Sequence, residues 1–89
     1  MQITEVKIRK LLDTGRLRAV VSVTFDGVFA VHDIKVVQGE QRLFVAMPSR
    51  RENDGTFRDV VHPINAQFRQ LTENAVLESY KNALAEKSS

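Results

Sequence analysis

Few side chains in this sequence have types and spacing suited to chemistry. The chain has two histidines, His32 and His62, and the carboxylates nearest to them in sequence are Asp33 and Asp59. A histidine and a carboxylate can share acid–base work or bind a metal when the fold brings them together. These four residues match neither an HExxH pattern nor a two-histidine, one-carboxylate set. Ser49 follows Pro48 with no base beside it in sequence, and neither GxGxxG nor a phosphate-binding loop pattern occurs. The sequence therefore predicts no catalytic residue, metal, cofactor or small-molecule substrate, and it reads as non-enzymatic. The arginines are more informative. Arg50 and Arg51 are adjacent, Arg42 and Arg58 flank them, and Arg69 lies just beyond Asn65. A guanidinium makes forked hydrogen bonds to phosphate and stacks on bases. Arg69 falls in the first turn of a predicted helix, where an anion is favoured. Phosphate contact by these arginines stands against the plainer reading of a solvated polar segment.

The elements that must position these groups follow from periodicity. From Glu5 to Leu12, Val6, Ile8 and Leu12 alternate with Glu5, Lys7 and Arg9, which is the period of a half-buried strand. Asp13-Thr14-Gly15 supplies a turn. Leu17, Ala19, Val21, Val23 and Phe25 then mark one face of a longer strand. Asp26-Gly27 predicts a hairpin closed by a two-residue type I′ turn. In that register Phe25 faces Val28, Val23 faces Ala30, Val21 faces His32, Ala19 faces Ile34 and Leu17 faces Val36, which places His32 in the core. Leu43 to Met47 reads as a short apolar strand stopped by Pro48. Ser49 to Thr56 reads as a loop with its own Asp54-Gly55 turn, and Phe57 to Val61 as a fifth strand. Asn65 is a suitable N-cap for a helix over about 66–85. On that helix Phe68, Leu71 and Ala75 form one apolar stripe, while Val76, Leu77, Tyr80, Ala83 and Leu84 form another. A single sheet covers one of them, which predicts that the second packs on another subunit.

The expected fold class is thus α+β, a single domain over 1–89. It comprises a small antiparallel sheet of about five strands within 2–62 and a C-terminal helix. Eighty-nine residues bury only about 60 to 65% of their unfolded surface, so stabilisation by a partner subunit is expected. Without cysteine, disulfides, thiolate zinc sites and thiol catalysis are excluded. No apolar run reaches the length of a membrane span, and the N-terminus lacks the pattern of a secretory signal, so a cytoplasmic location is expected. The net charge of +2 is unevenly spread. Residues 1 to 58 carry ten Lys/Arg against seven Asp/Glu, and residues 59 to 89 carry three against four. A basic excess in the sheet region suits a polyanion.

Several long motifs stand in order along the chain: TEVKIRK, VHDIKVV, LFVAMPSRR, DGTFRDVVHPIN and AVLESY. Over about Ile3 to Tyr80 the chain resembles the stage V sporulation protein G (SpoVG) family. The resemblance implies a dimeric cytoplasmic regulator of septation, sporulation or gene expression that binds DNA and RNA. It implies that Arg50 and Arg51, after the MPS motif, and Arg69, at the start of the helix, serve that binding. Glu52-Asn53 stands where Thr-Pro is usual, and Leu71-Thr72 where a basic and an aliphatic residue are usual. Both departures weaken the local basic field. The alternative expectation is a protein-interaction adaptor of the division or envelope machinery, docking a partner strand or helix.

Overall fold

The structure, a computed structural model, describes residues 1–88, the Ser88 side chain excepted. Strands β1 (Ile3–Leu11), β2 (Leu17–Phe25), β3 (Phe29–Gln38) and β4 (Leu43–Ala46) form an antiparallel sheet in the order β1-β2-β3-β4. Among the described residues two further short strands, β5 (Ser49–Arg51) and β6 (Phe57–Asp59), pair only with each other. A single helix, α1 (Ala66–Ser88), follows. The α+β class agrees with the sequence, but the expected fifth strand does not join the main sheet. It ends at Asp59 and pairs with residues expected to be loop.

One face of the sheet holds the core. Ala19, Val21, Val23, Phe25, Ile34, Val36, Val45 and Met47 are buried there under Val76 and Tyr80 of α1. Asn65 caps the helix as expected: the Phe68 N–H donates to its Oδ1 at 2.7 Å. Phe68 packs its ring on Phe25 with centroids 5.7 Å apart, which ties the first turn of α1 to the end of β2.

The type I′ turn is present, with Asp26 at φ 54°, Gly27 at φ 68° and the Val28 N–H donating to Phe25 O at 3.1 Å. The register beyond it differs from expectation. Val28 is extruded and the ladder resumes at Phe25↔Phe29, continuing as Thr24↔Ala30 and Val23↔Val31. A bulge then sets His32 and Asp33 against Ser22, with Asp33 at φ 64°, before Val21↔Ile34 and Ala19↔Val36. Ile34 and Val36 face the core as expected, whereas Ala30 and His32 are exposed and Val31 packs against the core in their place. The expected core histidine is thus corrected. An apolar valine takes the inward position, and the bulge restores the phase two residues later. A second irregularity pairs Leu17 with Val37 rather than Val36. On β1 an extra residue at Arg9 leaves Leu11, not Leu12, packed on the core.

The helix is also rotated from expectation. Its buried stripe is Phe68, Thr72, Val76 and Tyr80, while Leu71 is 50% exposed. The stripe expected to stay wet, around Val76 and Tyr80, is the one that covers the sheet. Thr72 joins it because its hydroxyl is satisfied within the helix, donating to Phe68 O at 2.9 Å.

Candidate nucleic-acid interface

Pro48 ends the main sheet, and the chain turns out into a two-stranded ribbon. Arg50 pairs with Arg58, Ser49 with Asp59 and Arg51 with Phe57. Paired residues share a face of a ribbon. Arg50 and Arg58 therefore stand together on one side, with Arg51 and Phe57 on the other. All six strand residues are exposed, so both faces of the ribbon meet solvent. Its turn is tightly made. Gly55 sits at φ 89°, its N–H donates to Glu52 O at 3.0 Å, and the Glu52 N–H donates to Thr56 O at 2.7 Å. Asp54 Oδ1 accepts from the Thr56 hydroxyl at 2.7 Å and from its backbone N–H at 3.0 Å. These two bonds, the hydroxyl foremost, hold the Asp54 carboxyl below its ordinary pKa of 3.8. At the base of the ribbon the Val60 N–H donates to Pro48 O at 2.8 Å.

The five arginines expected to share a site are only partly brought together. Arg50, Arg51 and Arg58 are all on the ribbon. Arg69 is half-buried at the corner between ribbon and helix, its Nη2 donating to Pro63 O at 3.3 Å. Arg42 precedes β4, in a loop closed by the Gly39 N–H donating to Arg42 O at 2.8 Å. It lines a hollow with Arg16 and lies at the opposite end of β4 from the ribbon. Glu52 Oε1 stands 3.8 Å from Arg58 Nε, which offsets part of the charge. His62 is exposed, and its Nδ1 lies 3.0 Å from Pro63 O, the proper role for an Nδ1–H donor.

Beside the ribbon, Phe25, Phe29, Met47, Pro63, Ile64 and Phe68 are among the residues lining an apolar groove of about 260 Å³. Of its lining residues Ile64 is 91% exposed, and Val28, Phe57 and Val60, elsewhere on the surface, are exposed as well. Among the described residues no cluster of histidine, cysteine or carboxylates is fit to hold a metal, and no helix is long and apolar enough to cross a membrane.

A second basic surface went unnoticed in the sequence. On the sheet face turned away from α1, Lys10, Val20, Lys35 and Ala46 form one cross-strand row, and Lys7 pairs with Ser22. Arg9 Nε donates to Ser22 Oγ at 3.1 Å, and Ser22 Oγ lies 2.7 Å from His32 Nδ1. Alternation alone assigned Lys7 and Arg9 to an outer face. The sequence also placed Lys35 on the face away from the core, and only the register, with its bulges, shows that Lys10 and His32 join them.

Comparison with known proteins completes the description. The SpoVG family model matches residues 1–82. A relative from Clostridioides difficile (strain 630) is 54% identical over 86 residues, spanning 97% of this chain and 94% of its own. One from Desulforudis audaxviator (strain MP104C) is 58% identical over 82 residues, spanning 92% and 93%. One from Agathobacter rectalis is 54% identical over 84 residues, spanning 94% and 97%. Each bears the name SpoVG with a provisional assignment to septation. On the family match and on identities above half across nearly the whole chain, the protein belongs to the SpoVG family.

Proposed function

We propose that this protein is a non-enzymatic, cytoplasmic regulator that binds DNA or RNA as a homodimer, in the service of septation or of gene expression linked to sporulation. The observation that carries the reading is the cross-strand pairing of Arg50 with Arg58 on a ribbon exposed on both faces. Two guanidiniums directly opposite one another repel, so the arrangement is favourable once phosphate lies between them. Arg51 points to the other side of the ribbon. A groove edge could thus be held by Arg50 and Arg58 while Arg51 and Phe57 meet the backbone or bases beyond it. Arg69 adds a cation beside the helix N-terminus. Arg42 is a separate, minor contact at the far end of β4. The names of the relatives supply the link to septation. The exposed Phe57, Val60 and Ile64 supply apolar surface for a second copy of the chain.

The Arg50→Ala, Arg51→Ala variant is expected to lose most binding to duplex DNA and to single-stranded RNA while keeping the wild-type circular dichroism spectrum. Undiminished binding would remove the ribbon from the site. The adaptor reading rests on the same exposed apolar residues, taken as a dock for a foreign strand or helix. Titration at two salt concentrations separates the readings. Several phosphate contacts require a steep loss of affinity with salt, whereas an adaptor shows negligible binding at both.

A further inference from the structure

The outer face of the four-stranded sheet has no part in the reading above, and its composition is not that of an ordinary solvated face. A surface with both signs of charge interspersed avoids a large single-sign field, which is useful chiefly for attracting a charged partner. Here Lys7, Arg9, Lys10 and Lys35 surround the strip formed by Val20, Val37 and Ala46, and Glu5 is the acid sharing the face by register, with Asp33 exposed at the bulge. Among the described residues none of these four cations is ion-paired with a carboxylate.

The centre of the face is organised rather than merely charged. Ser22 is 5% exposed. Its oxygen accepts from Arg9 Nε, so its own proton is free to go to His32 Nδ1. In the tautomer that accepts this proton, Nε2, the nitrogen turned from Ser22, carries the ring N–H. One buried hydroxyl thereby orients two outward donors, the Arg9 terminal nitrogens and the His32 Nε2–H. The row Lys10, Val20, Lys35 sets two lysines on either side of an apolar residue, their backbones about 10 Å apart at two strand spacings. Phe44 pairs with Val37 and contributes a partly exposed ring. That ring packs closely on Gly39, where an added Cβ would stand 3.3 Å from it.

We propose that this face is a second nucleic-acid contact, separate from the ribbon, that takes a single strand. The Arg9–Ser22–His32 group and the lysines bind phosphates, and Val20, Val37 and Phe44 meet the bases. The proposal extends the nucleic-acid reading of the protein and rests on it for the class of ligand. A single strand is favoured over a duplex because its bases are free to lie on apolar side chains between the cations, whereas a duplex keeps them stacked inside.

The test compares four full-length proteins by fluorescence anisotropy with labelled oligouridine and a duplex DNA of equal length, at several salt concentrations. They are the wild type, Lys10→Gln with Lys35→Gln, Lys81→Glu, and Arg50→Ala with Arg51→Ala. The helix-lysine variant makes the same change of net charge away from the sheet face. The sheet variant is expected to lose single-strand affinity and to lower the slope of log affinity against log salt by about 1.4, at roughly 0.7 per single-strand phosphate contact. Its duplex binding should match that of the helix-lysine variant, and the thermal melts of all four should coincide within a few degrees. A sheet variant that binds oligouridine as the helix-lysine variant does overturns the second face. If the Arg50, Arg51 variant alone loses binding, the ribbon reading stands and the sheet face falls. If that variant binds normally while the sheet variant does not, the ribbon falls and the sheet face stands. Equal losses on duplex and single strand overturn the selectivity, and a wild type that binds neither probe overturns both sites.

Discussion

Arg50 and Arg58 are direct cross-strand partners, two like charges held face to face on a ribbon whose other contacts are few. Such a pair opposes folding by about 0.2 to 1 kcal/mol. Replacing both by alanine should therefore leave the melting temperature unchanged or slightly raised. It should also lower the slope of duplex affinity against salt by about 1.8, at 0.9 per phosphate contact. A thermal melt and a salt titration of the same variant check the two halves of this expectation.

Glu52 competes with phosphate for Arg58. The pair is separated by 3.8 Å with side chains 81% and 43% exposed, so its own worth is at most about 1 kcal/mol. Glu52→Gln should leave stability unaltered and tighten nucleic-acid binding by about two- to fivefold, the equivalent of up to that energy. Anisotropy titrations at low salt measure it.

Asp54 makes the ribbon's turn sensitive to acid. Its folded pKa lies below the ordinary 3.8 because Thr56 donates to the carboxylate. A depressed pKa contributes order that is fully present above the unfolded value and is lost as pH falls through the folded one. The Thr56 and Gly55 amide resonances should hold their positions down to about pH 4 and shift below the ordinary value of 3.8. Asp54→Ala should show the shifted spectrum at neutral pH, with the core resonances unmoved.

Thr72 places a hydroxyl in the core, 1% exposed and, among the described residues, bonded only to the Phe68 carbonyl of its own helix. That carbonyl is in position to accept the helical Thr72 N–H as well. Thr72→Val removes the polar group without orphaning a partner and should stabilise the protein by about 0.5 to 1 kcal/mol. Urea unfolding with an unchanged m-value is the measurement.

The sequence was legible where signals were local. Asp26-Gly27 marked its turn, Asn65 its cap and Pro48 the end of β4, because each depends on a residue's own backbone preference. Register was not legible. The expected pairing needed only one residue, Val28, to drop out of the ladder for Ala30 and His32 to exchange faces with Val31. Nothing within five residues of Asp33 announces that it will adopt a positive φ and reset the phase. The helix stripe was misread for a related reason. Leu71 is the more apolar neighbour, yet Thr72 is the residue in line with Phe68, Val76 and Tyr80, and a satisfied hydroxyl tolerates burial. For the site, the arginines were found by type, but whether they share a surface depended on β5 and β6 leaving the sheet. That departure separates Arg42 from the rest and could not be read from spacing.

The position of α1 after all six strands also governs how the chain can mature. Each main strand pairs with the one made just before it, so the meander can zip up by short loop closures as it is synthesised. Yet Val21, Ile34 and Val36 have nothing over them until Val76 and Tyr80 arrive. The nascent sheet is a bare apolar plane, open to association with its neighbours. Commitment to the native state therefore waits for the last element, and any truncation short of Tyr80 should yield aggregates rather than a smaller folded protein.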